Sequence, residues 1–156
     1  MTAKQSAGIL LYRRIFSGVE VFIVHPGGPF WKNKEEGAWS IPKGEFDDNE
    51  NSLDAAKREF FEETGISLTG EFIELQPVKL KSGKKVFAWA IEKDIDAENI
   101  VSNNFEMEWP LRSGKFQSFP EIDKGEWLSI EAAKKKINVM QVDFLEQLHT
   151  KLIEEK

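Results

Sequence analysis

The segment that most constrains this chain is residues 44–66, GEFDDNENSLDAAKREFFEETGI. Arg58, Glu59, Glu62 and Glu63 crowd together just before Gly65, a residue suited to ending a helix. On a helix turning about 100° per residue, Glu62 and Glu63 follow Glu59 at i+3 and i+4, so three carboxylates share one face. Such a face repels itself at neutral pH unless a cation sits among the charges. Hard oxygen donors of this kind suit Mg²⁺ or Mn²⁺.

Composition narrows what the rest of the chain can supply. A chain of 156 residues fits one domain, able to bury roughly 70% of its unfolded surface. With no cysteine there is neither a disulfide framework nor a thiolate ligand, so a metal must be held by carboxylates, carbonyls or the two histidines, His25 and His149. The formal net charge is -6 and no basic block stands out, which makes nucleic acid an unlikely partner. The first residues hold no apolar run long enough for a signal or membrane segment, so the chain reads as a soluble cytoplasmic protein.

Apolar runs at 9–12 and 21–24, either side of a turn at 16–18, predict a hairpin of strands 7–14 and 19–25 buried on both faces. Residues 25–37 carry glycine, proline and charge and read as a long loop. A short strand over 38–42 is expected to stop at Pro42, with a polar loop over 43–49. The central helix is placed at 51–64, capped by Asn51 or Ser52 and closed by Gly65. Leu53, Ala56 and Phe60 line one side of it, and Phe61, on neither stripe, predicts cover on a further side. Strands follow over 71–80 and 85–92, then a loop over 94–104, an extended segment over 105–109 and a second long loop over 112–126. A short strand at 127–128, a helix over 130–136 capped by Ser129 and a helix over 139–153 complete the chain. The sum is a mixed sheet with three helices in a single domain over residues 1–156.

The spacing of the acidic segment is specific. Gly44, Glu50, Arg58, Glu59, Phe60, Glu62, Glu63, Gly65 and Ile66 fill all nine fixed positions of the pattern G-x5-E-x7-R-E-U-x-E-E-x-G-U, with U apolar, across 23 residues. This resembles the signature box of the Nudix hydrolase superfamily. SAG at 6–8, WSIPKGE at 39–45 and GEWLSIEAA at 125–133 are similar to the strands and terminal helix that flank the box in that family. The resemblance implies an α/β/α sandwich around a mixed sheet. It also implies hydrolysis of a nucleoside diphosphate linked to another moiety, with Mg²⁺ or Mn²⁺. By resemblance, Glu59, Glu62 and Glu63 are metal ligands together with the carbonyl of Gly44, and Arg58 orients Glu59 and pairs with Glu50. Glu50 would face away on a continuous helix, so it is expected to precede the helix.

The general base differs within the family, being either the box glutamate that matches Glu59 or a glutamate well downstream. Glu106 and Glu108 of FEMEWP are the downstream candidates, with Glu106 taken first and Glu121 after them. Lys43, next to Gly44, reads as a loop lysine or a phosphate contact, and His25 as a strand-end histidine or a ligand. Phe30 and Trp31, in a polar Gly/Pro loop, are placed to stack on a base, whereas Trp39 and Trp109 fit either substrate or core.

The flanking motifs are similar to those of dinucleoside polyphosphate hydrolases and their diphosphoinositol-polyphosphate relatives. The acidic balance argues against an inositol polyphosphate. Against the dinucleoside class, the only tyrosine, Tyr12, falls in a strand, so no later tyrosine can stack a base. The expected substrate is therefore a small nucleotide, a dinucleoside polyphosphate first, with a nucleoside triphosphate or ADP-ribose as alternatives. A non-catalytic nucleotide sensor and an RNA cap hydrolase are the other readings, the latter requiring a basic RNA path.

Overall fold

The computed structural model describes residues 4–154; the domain expected over 1–156 therefore extends at both ends outside the described residues. Its sheet is built on β1 (Gln5–Ile15), which pairs antiparallel with β2 (Gly18–Pro26) and parallel with β6 (Lys85–Glu92). β3 (Lys43–Phe46) pairs with the start of β1, and β4 (Ile73–Glu74) and β5 (Val78–Lys79) both pair with β6. β9 (Ile122–Ser129) completes the far edge beside β2. A separate two-stranded ribbon joins β7 (Asn104–Glu108) to β8 (Phe116–Pro120). The parallel β1–β6 pair makes the sheet mixed.

Side-chain alternation sends each strand into two cores. Leu10, Tyr12, Val21, Ile23, Val86, Ala88 and Ala90 face α2 (Ile130–Lys136) and α3 (Val142–Glu154). Ala7, Ile9, Leu11, Phe22, Val24 and Ile91 face α1 (Ser52–Thr64), whose Ala55, Ala56 and Phe60 are fully buried. The expected α/β/α sandwich is the fold observed, and the unbroken apolar runs are explained by burial on both faces. Truncating Phe60 to alanine would cost about 3–5 kcal/mol at such a site.

α1 begins where Asn51 accepts the Asp54 N–H at 2.8 Å and ends at Gly65, whose φ of 79° is open to glycine at little cost. Phe61 is 51% exposed, which corrects the expectation of cover on a further side. Glu50 lies before the helix, as expected.

Other expectations shift at identifiable places. Residues 38–42 make only isolated bridges, Val24 with Ser40 and Trp39 with Ile137; regular pairing starts after Pro42, in the segment expected to be loop. Gly8 allows this crossing, because a Cβ there would overlap the Pro42 carbonyl and the Lys43 side chain. The strand expected over 71–80 is broken in two at Pro77, and Gln147 takes over both backbone groups of Gln76. The second long loop is mostly β8 and the first half of β9. Ahead of α3, residues 139–141 form a 3-10 turn.

Candidate active site

The box residues gather where α1 lies over β3. Glu59 and Glu63 are 8% and 6% exposed, although both are acids. Arg58 fixes the arrangement: its Nε and one terminal nitrogen grip Glu50, both at 2.9 Å, while the other terminal nitrogen donates to Glu59 at 2.8 Å and reaches Glu62 at 3.3 Å. Two parallel bonds to Glu50 lock the guanidinium plane, so its third corner is aimed at the helix carboxylates. Gly44 is required by the same packing, because a Cβ there would lie inside the envelope of the Glu59 carboxylate. The Lys43 backbone N–H donates to Glu63 at 3.2 Å.

Electrostatics follow from burial. Desolvation, with Glu59 and Glu121 adding repulsion, pushes the Glu63 carboxyl up to about 9. Burial raises Glu59 as well, the Arg58 hydrogen bond opposing the shift while Glu62 and Glu121 reinforce it. Glu121 is itself raised by burial and by Glu62. The Lys43 ammonium is lowered by burial and by Lys84. Carboxylates that share a field and resist ionisation are a mark of functional sites.

A cleft of about 160 Å³ opens beside this cluster, lined by Pro26, Ser40, Lys43, Glu63, Glu121 and Ile122 among others. A larger groove of about 430 Å³, between the β1–β2 turn and α3, is mostly apolar and lined by none of the box residues.

Sequence-predicted residues divide cleanly. Arg58, Glu59, Glu62, Glu63 and Gly44 come together, and Lys43 borders the same cleft. Glu106 does not join them: it is exposed on the ribbon opposite Ser118. Glu108 spends its carboxylate on the N–H groups of Arg112 and Gly114 in its own turn. Glu121, ranked behind both from the sequence, is the downstream acid that acts on Glu59 and Glu63. The ribbon explains the reversal, since the chain returns from it to the main sheet at Glu121.

The placement of Trp39 against substrate is corrected: it is 0% exposed, with the His25 ring at 5.3 Å. A ring without exposed surface cannot stack on a base. His25 is a structural latch, its Nδ1 at 2.8 Å from Asp123 and its Nε2 at 2.7 Å from the Lys34 carbonyl, tying loop 26–38 to β9. Phe30 and Trp31 stay accessible, at 50% and 41% exposure. Phe30 meets Trp109 edge-on with centroids 5.7 Å apart, a contact that sequence spacing could not reveal.

The model of the NUDIX domain family matches residues 3–148. The chain belongs to that family. Among curated relatives, an RNA pyrophosphohydrolase of Bartonella henselae is 34% identical over 67 residues, 40% of this chain and 36% of that protein. The asymmetrical bis(5'-nucleosyl)-tetraphosphatase of Rattus norvegicus is 45% identical over 67 residues, 38% of this chain and 46% of that protein. The match thus spans less than half the length of either relative. A solved C. elegans Ap4A hydrolase complex shares the fold with a TM-score of 0.65 and 18% identity, covering 97% of this chain and 99% of that one.

Nudix hydrolases generally use divalent metal ions. The donor set fits such an ion in chemistry and charge: Glu50, Glu59, Glu62 and Glu63 contribute four carboxylates, against the single guanidinium of Arg58. Among the described residues no three histidine, aspartate or glutamate side chains converge into a finished cage. Arg58 holds Glu59 and Glu62 instead. No helix among the described residues is long and apolar enough to cross a membrane.

Proposed function

We propose that this Nudix chain is a pyrophosphohydrolase that breaks a phosphoanhydride bond in a nucleoside diphosphate linked to another moiety, a dinucleoside polyphosphate being the preferred substrate. The observation that carries the reading is the pair of buried acids, Glu59 and Glu63, held against Gly44 and Lys43 beside a cleft. Burying two acids with only one guanidinium, that of Arg58 on Glu59, between them is costly, and a bound cation offsets that cost.

Mg²⁺ or Mn²⁺ would be held by Glu59, Glu62 and Glu63 with the carbonyl of Gly44; when bound, such an ion neutralises phosphoryl charge and lowers the pKa of water. The remaining work falls to the chain. Arg58, fixed by Glu50, sets the direction of the Glu59 carboxylate. Lys43 offers a cation to phosphoryl oxygens at the cleft. Glu121, raised by burial, is the general base: it takes a proton from the attacking water as the new O–P bond forms and the bridging O–P bond breaks. The similarity to the Rattus norvegicus tetraphosphatase supports the dinucleoside class.

The test is a substrate panel with Mg²⁺ or Mn²⁺ and product analysis, comprising a dinucleoside tetraphosphate, nucleoside triphosphates, ADP-ribose and 5′-triphosphorylated RNA. Metal-dependent release of a mononucleotide from the dinucleoside substrate, abolished by Glu62→Gln, is expected. Tight binding of a panel member without turnover of any would replace this reading with a sensor.

A further inference from the structure

The β7–β8 ribbon stands outside the main sheet, yet it is fixed at its root, along its length and at its tip. At the root, the Glu121 N–H donates to the Asn103 carbonyl at 2.8 Å and the Asn103 N–H to the Glu62 carbonyl at 2.7 Å. Along its length, loop 26–38 climbs it. A Cβ on Gly27 would overlap the Pro120 carbonyl, one on Gly28 would crowd the Phe105 ring, and Phe30 reaches Trp109. At the tip, Glu108 accepts from Arg112 at 2.9 Å and Gly114 at 3.1 Å, and the Gln117 amide donates to the Trp109 carbonyl at 2.8 Å. These bonds hold Arg112 at a φ of 63°, which a free turn would rarely give it.

Rings and cations are exposed on this scaffold and on the loop beside it. Phe30, Trp31 and Phe116 are 50%, 41% and 69% exposed. Lys34 sits 5.2 Å from the Trp31 ring, and Arg112 and Lys115 are exposed at the tip. On a chain of net charge -6, rings rimmed by cations and held in advance of binding match an aromatic ligand that carries negative charge.

Position says which part of the ligand belongs there. The Trp109 N–H donates to the Lys115 carbonyl, so Trp109 lies level with Lys115 across the ribbon. Between Lys115 and Glu121 the chain advances about 20 Å at the rise of an extended strand. A base only one or two phosphates from the reacting phosphorus is too close to the carboxylates to meet these rings. A base joined to a second nucleoside through several phosphates reaches them.

We propose that Phe30, Trp31 and Trp109 form a subsite for the far nucleobase of a dinucleoside polyphosphate, with Arg112 and Lys115 beside its outer phosphates. The assignment rests on the hydrolase reading above. Glu108 acts as a positioning residue that pre-forms the tip.

The test compares kcat and KM on a dinucleoside tetraphosphate with those on ADP-ribose, whose single base lies beside its diphosphate and cannot span to the rings. Phe30→Ala, Trp109→Ala and the more exposed Trp31→Ala are expected to lose about 5- to 150-fold in kcat/KM on the dinucleoside substrate, mainly through KM, as removal of a stacking ring does. On ADP-ribose they should stay within about twofold of the unmodified chain by the same reasoning. Equal losses on both substrates, or none on either, overturn the subsite and leave the hydrolase reading standing. If the unmodified chain turns over only ADP-ribose, the dinucleoside reading and the subsite fall together.

Discussion

Replacing Glu63 by glutamine isolates the cost of burying an acid at the site. Glu63 is 6% exposed, and burial with Glu59 and Glu121 nearby pushes its carboxyl from 4.5 up to about 9. Between those values the folded chain keeps a proton that the unfolded chain has released. Stability from this group is therefore complete below the lower value and is lost as pH rises through the window. One retained proton gives a slope of about 1.4 kcal/mol per pH unit. Glutamine keeps the size and the oxygen that accepts the Lys43 N–H, but it does not titrate. In urea unfolding under metal-free conditions, the variant's stability relative to the parent should rise by about 1.4 kcal/mol per unit from roughly pH 6 to 8. Titrations common to both chains cancel in this difference. Glu59 lies in the same field, so the slope reports the pair. Divalent ions should stabilise the parent more than the variant, because Glu63 can give up its proton to become an anionic ligand and glutamine cannot. Parallel pH profiles for the two chains would refute the reasoning.

Gly44→Ala forces the Glu59 carboxylate aside, and kcat/KM should fall by about 100-fold or more, the usual result of moving a reacting group by an ångström; steady-state kinetics with the best substrate of the panel check this. Arg58→Lys keeps the charge but loses the two-point grip on Glu50, so a drop of about 10- to 100-fold is expected, with weaker metal binding by calorimetry. Glu121→Gln should lower kcat by about 100- to 10,000-fold while Glu106→Gln leaves it within twofold. The reverse ranking would return the general base to the ribbon.

The central layers of the fold were legible because their signals are local or periodic. The runs at 9–12 and 21–24, the Asn51 and Gly65 caps and the nine-position box each carry their own physics in a few residues. The misplaced pieces depend on partners far along the chain. β3 exists because Gly8 lets the segment after Pro42 lie across β1, and the break at Pro77 is stabilised by Gln147. Trp39 read as an open choice because burial by His25, Lys124 and Lys136 is a tertiary fact. Glu106 and Glu121 illustrate the same limit. Their sequence distance from the box ranked them one way, and the folding of 104–120 into a ribbon ranked them the other.

The far end of α1 links chemistry to specificity. A helix leaves its last carbonyls without partners, and here three of them are used in different ways. Gly65 closes on the Phe61 carbonyl at 2.7 Å, which fixes where the helix stops and so the height of Glu62 and Glu63. The Glu62 and Thr64 carbonyls accept from Asn103 at 2.7 Å and Val101 at 2.8 Å, the residues that lead into the ribbon. The turn of helix that presents the carboxylates is thus the one that sets the root of the arm carrying Trp109. A shift of α1 along its axis would move acids and arm together, preserving the distance between them. Substitutions in 26–38 or 104–120 can alter what the arm accepts while the box geometry stays under the control of Glu50, Arg58 and Gly44.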